Sequence, residues 1–241
     1  MSLRNSFTQT ASPTGGMTDN IASYQCTMLD LPDGTVLYCH VEQGNVFYSS
    51  FGSQLYAYNP NGAPVASGKP VITGISLNND GSYHLTGLGL NGICQGAAYG
   101  DDAQMDSNYP LVRLTDGGGN VYYARTYNWS STGVMTGNAP VSTEFKLPEF
   151  FPTGPLSLAV VANGISSDPV SFTGPVYVEF GYGGFQFGTI DFPYATLTQG
   201  VANVPVAGQI ILEGAGTSAE TMTISKPMTI TAIGGPSTIG L

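Results

Sequence analysis

Leu111-Val-Arg-Leu-Thr-Asp-Gly-Gly-Gly-Asn-Val-Tyr-Tyr-Ala-Arg-Thr-Tyr127 is the stretch whose reading decides the fold. Leu111–Leu114 and Val121–Tyr127 are short runs of aliphatic, β-branched and aromatic residues, and Asp116-Gly-Gly-Gly119 between them is a turn. Similar runs recur on both sides at short, regular spacing: Val71–Leu77, Ser82–Leu88, Ser142–Leu147, Leu156–Ala162 and Val170–Phe172. Asn79-Asp-Gly81, Pro152-Thr-Gly154 and Asn163-Gly164 separate them. Seven strands at this spacing predict an immunoglobulin-like β-sandwich over residues 70–175.

Composition agrees with an all-β protein. Only 9% of the 241 residues are charged, whereas Gly numbers 33 and Pro 16. Such punctuation favours many short strands and forbids long helices. The formal net charge of -10 comes from 16 acidic and 6 basic groups, and the basic ones are scattered. A nucleic-acid partner needs a cationic stripe, and an anionic membrane surface would repel this chain. No apolar run is long enough to cross a bilayer. The chain opens on a polar stretch without a secretory leader. Its low-charge, Thr/Gly/Asn-rich character nevertheless resembles secreted or cell-surface modules, with any signal peptide lost upstream.

Upstream, residues 1–20 read as an extended arm. Residues 21–62 hold a hairpin, Tyr24–Tyr38, turning at Pro32-Asp33-Gly34, and a third strand, Gly52–Tyr58. Whether that turn takes two residues or three, Cys26 and Cys39 are offset across the hairpin. Free buried thiols are the expectation, with a disulfide as the alternative. Downstream, residues 176–241 begin with a Gly/aromatic bridge, Phe180–Gly188. Leu197, Val201 and Val204 then recur at helical spacing before Pro205. Strands are expected at Gln209–Glu213, Met222–Ile224 and Met228–Ile233, with another starting at Thr238.

Two stretches resemble the galactose-oxidase-like family, a kelch-type propeller followed by an immunoglobulin-like domain. Tyr24-Gln25 ahead of Leu31-Pro-Asp-Gly34 is similar to the last blade. Tyr99-Gly-Asp-Asp-Ala-Gln104 to Leu114, with Leu156-Ser-Leu-Ala-Val-Val-Ala-Asn163, is similar to the following domain. The last third resembles the N-terminal cap of a pectin-lyase-like parallel β-helix. The family's oxidase activity implies copper held by two histidines and two tyrosines, one of them cross-linked to cysteine. Here Gln25 and Gln104 stand where the histidines are implied, and amide oxygens are poor copper ligands. The resemblance therefore implies a chain without oxidase activity, cofactor or catalytic residues.

Other candidates come from the residues themselves. Asp101, Asp102 and Asp106 are the densest carboxylates, readable as a Ca²⁺ loop or as an Asx-rich turn region bonding its own backbone. Tyr123 and Tyr127 share one face of their strand by alternation, and Trp129 lies just beyond it. Exposed, these rings would stack on sugars; buried, they fill a core. His40 and His84 have no other metal-type ligand at motif spacing. Glu144, Glu179 and Asp191 could converge from distant strands as a glycosidase pair would.

Repeat pieces cannot bury their apolar faces alone. The leading expectation is a non-catalytic extracellular or cell-surface module for structural assembly or attachment through open strand edges, self-associating or pairing with a neighbouring β-domain. The alternatives are a carbohydrate-binding module, with a polysaccharide partner, and a fragment of a polysaccharide-active enzyme.

Overall fold

A computed structural model describes residues 26–40, 55–60, 62–93 and 109–240. The N-terminal arm, Gln25, Asp101, Asp102, Gln104 and Asp106 lie outside the described residues. Two compact units divide the chain. Among the described residues, the first holds the N-terminal strands, and the second holds Gly62 onward together with the hairpin tip Pro32–Gly34.

The first unit is an antiparallel sheet of β1 (Cys26–Asp30), β2 (Val36–His40) and β3 (Leu55–Tyr58), in that order. The Leu31 N–H donates to the Thr35 carbonyl at 2.8 Å, closing a three-residue turn. Gly34 completes it at φ +85, a conformation that costs glycine little. Thr27 consequently pairs with Cys39, and Cys26 with His40. The two cysteines occupy neighbouring rows of the ladder rather than facing positions.

The second unit begins with eight antiparallel strands: β4 (Val71–Leu77), β5 (Tyr83–Leu88), β6 (Leu111–Asp116), β7 (Val121–Tyr127), β8 (Pro140–Phe145), β9 (Gly154–Ala162), β10 (Ile165–Ser166) and β11 (Val170–Gly174). They form one curled sheet, ordered β10-β9-β6-β7-β8-β5-β4, with β11 also on β9. The curl has a local cause. β7 pairs with β6 through Val121–Arg125, then with β8 through Thr126 and Tyr127 alone. One strand thus changes partners and turns the sheet over, making a sandwich-like double layer. Val112, Leu114, Leu85, Phe145, Leu158 and Val160 are enclosed between the layers. Tyr83 stacks on Phe145 at 5.3 Å between ring centroids. β8 starts two residues earlier than its sequence suggests, with Pro140 at its first position, where a missing N–H is tolerated.

Beyond Gly174 the ladders become parallel. β12 (Val176–Val178), β13 (Gly208–Glu213) and β15 (Met228–Ile233) form one parallel sheet, while β14 (Gly216–Ser218) pairs in parallel with β16 (Ser237–Ile239). Ile210 faces Ile230 and Gly216 faces Ser237, so the chain stacks on itself at a repeat of 20 and then 21 residues. Inside lie Val176, Val178, Ile210 and Leu212, covered at one end by α1 (Leu197–Asn203) through Leu197. The outward Tyr177 and Ile211 pack with Ile190 and with Leu77 of the sandwich. The expected strand at Met222–Ile224 is not formed. Among the described residues they follow β14 without a ladder partner, and Met222 packs against the coil interior instead.

The cap helix is fixed by its own sequence. Thr196 accepts from the Gln199 N–H while the Gln199 amide oxygen accepts from the Thr196 N–H, a reciprocal capping box. Pro205 follows and cannot continue the helix.

Candidate functional site

Three features of the second unit have chemistry beyond packing. The first is the outward face of β6 and β7. Alternation turns Val112, Leu114, Ala124 and Thr126 inward, leaving Leu111, Arg113, Tyr123 and Arg125 on the opposite face. Arg113 stands directly across the ladder from Tyr123, and Leu111 across from Arg125. Tyr123 is 42% exposed and Trp129 38%. Trp129 is held by its indole N–H, which donates to Thr126 Oγ1 at 2.9 Å, and that hydroxyl donates to the Pro110 carbonyl at 2.5 Å. Tyr109 stacks against Trp129 with centroids 5.5 Å apart, and the Arg125 guanidinium lies 6.0 Å from the Tyr109 centroid. Tyr127 differs from its neighbours, because its hydroxyl is buried without a hydrogen-bond partner. Of the three rings read as a sugar-binding set, Tyr123 and Trp129 are open to solvent, and Tyr127 offers no free polar tip.

The second feature is a carboxylate row on the coil. Val178 pairs with Leu212, so Glu179, just past the end of β12, follows one paired residue and Glu213, the last residue of β13, follows the other. Burial, and then the charges of Glu179 and Asp191, push the Glu213 carboxyl up to about 7. Burial, with Tyr83 next, also raises the Tyr177 hydroxyl, while burial pushes Tyr83 up to about 12. The Tyr83 and Tyr177 hydroxyls are enclosed and act on one another, and the Thr189 hydroxyl is enclosed as well. Of the acids named from sequence, Glu179 and Asp191 thus act on a common neighbour, Glu213. Glu144 is elsewhere, on β8 directly opposite His84 of β5, accepting from Asn128 Nδ2 at 2.6 Å. Among the described residues no three His, Cys, Asp or Glu side chains converge to hold a metal ion.

The third feature is the far end of the parallel coil. Among the described residues β15 pairs only with β13, and β16 only with β14. Met222, Met228 and Ile230 are half-buried against the interior there, and Ile224 and Ile239 are exposed. Each strand presents a row of backbone donors and acceptors ready for another strand.

No known family and no curated protein matches the chain. Among the described residues no helix is long and apolar enough to cross a membrane. Sequence reasoning missed Tyr109, Arg113, Arg125 and Glu213. Only the strand register brings the two arginines to Tyr123 and Glu213 to Glu179, and no motif spacing signals either meeting.

Proposed function

We propose that this chain is a non-catalytic β-module for assembly or attachment at a cell surface or outside the cell, working by strand addition at the open end of its parallel coil. The observation that carries this reading is that, among the described residues, β15 and β16 are each paired on one side, with half-covered apolar residues behind them. A parallel rung placed on both strands would satisfy their outer backbone groups and cover Met222, Met228 and Ile230. The galactose-oxidase-like and β-helix resemblances fit such a module, with Gln25 and Gln104 in place of copper ligands. The low-charge composition fits an extracellular setting.

Light scattering across a concentration series tests it. The account expects association that Thr229→Lys and Ile239→Lys, charges placed on the open strands, reduce to monomer. A monomer at every concentration would remove self-assembly as the function.

Carbohydrate binding is the second reading, supported by the solvent-open rings of Tyr123 and Trp129. Titration calorimetry with polysaccharides tests it: heat that disappears in Tyr123→Ala supports binding at this face, and no heat ends it.

A further inference from the structure

We propose that the β6–β7 face binds an acidic polysaccharide, taking uronate carboxylates on Arg113 and Arg125 and sugar rings on Tyr123 and Trp129. The proposal rests on the carbohydrate-binding reading and gives it a ligand class. Its first support is charge placement. The chain has 6 basic residues against 16 acidic ones, and two of the six share this face. Arg113 lies across from Tyr123 and Arg125 is the next outward residue along β7, so the guanidiniums are diagonal neighbours about 7–8 Å apart at their origins.

The second support is that, among the described residues, neither arginine pairs with a carboxylate. Among them the ion pair formed is Lys69 with Asp168. Arg113 Nε is buried and makes no hydrogen bond. Arg113 also lines a cleft of about 410 Å³ with Lys69, Asp33 and Ile165. The Lys69 ammonium there is already held by Asp168.

The third support is the flat surface beside these charges. Trp129, Tyr109 and the Arg125 guanidinium form a continuous stack, anchored through Thr126. Planar groups of this kind present a face to the C–H side of a sugar ring, while guanidinium forks match carboxylates two bonds at a time. A nucleic acid fits less well, because its dense phosphates would meet a chain of formal charge -10 with two cations on this face and no cationic stripe.

The test titrates the full chain with polygalacturonate and with highly methyl-esterified pectin, which keeps the sugar backbone but masks its carboxylates. The expected result is at least tenfold tighter binding of polygalacturonate, weakened at least fivefold between 50 and 300 mM NaCl. Arg125→Gln, at an exposed position, and Arg113→Gln should each raise Kd at least tenfold for polygalacturonate and by a smaller factor for the esterified pectin. Equal affinity for the two polymers, or polygalacturonate binding untouched by Arg125→Gln, overturns the uronate assignment while the broader carbohydrate reading stands. Silence with both polymers overturns both.

Discussion

Glu220 accepts from the Leu197 backbone N–H at 2.8 Å and so joins the end of the first parallel turn to the helix that covers it. The same carboxylate takes the Thr198 N–H and hydroxyl and the Ser218 hydroxyl. Four donors on one carboxylate tie α1 to the segment after β14. Helix and coil therefore hold each other in place.

This contact predicts an acid-side loss of stability. Burial pushes the Glu220 carboxyl up, but the bonds from Thr198, Leu197 and Ser218 outweigh it and bring it down to about 2. A group depressed in the folded state stabilises fully above its ordinary value near 4.5, and that contribution is lost as pH falls toward 2. Glu220→Ala should lower stability by about 1–2 kcal/mol at pH 7, the usual cost of losing a helix cap. Thermal melts should show the variant and the parent converging at low pH.

Glu213 predicts the opposite slope in a separate window. Its folded-state value near 7, raised first by burial and then by Glu179 and Asp191, lies above its ordinary 4.5. The unfolded chain gives up this proton more readily, so stability falls as pH rises from about 4.5 through 7. Glu213→Gln keeps the shape and removes the charge. Its melting temperature should exceed the parent's at pH 8 and match it at pH 5; equal melting temperatures at pH 8 would contradict the like-charge row.

Gly200 predicts a packing effect that overrides helix propensity. A Cβ there would sit 2.6 Å from Val178 Cγ2. Alanine in a helix is worth up to about 1 kcal/mol over glycine, whereas overpacking costs about 1–3 kcal/mol. Gly200→Ala should therefore destabilise, visible as a lower denaturation midpoint, because α1 must rise off β12.

Much of this fold is legible in the sequence because its signals are local. The hairpin at Pro32-Asp33-Gly34, the strands of the sandwich, the helix before Pro205 and the strands Gln209–Glu213 and Met228–Ile233 follow from turn residues and alternation. What escapes is whatever depends on partners far away in the chain. Met222–Ile224 has strand-like residues but, among the described residues, no neighbouring strand to make it one. The single curled sheet depends on β7 leaving β6 for β8 at Thr126, a step with no signal in β7 itself. The Arg113–Tyr123–Arg125 face and the Glu179–Glu213 row are products of register, which alternation alone does not fix.

The reading of β15 and β16 as docking strands meets its most direct test in amide hydrogen exchange at increasing protein concentration. The account predicts that Met228–Ile233 and Ser237–Ile239 gain protection as concentration rises, while the sandwich strands such as Leu156–Ala162 stay unchanged. Exchange in β15 and β16 that is already fully protected in dilute solution, or is independent of concentration, would contradict strand addition between copies of this chain at the open end of the coil.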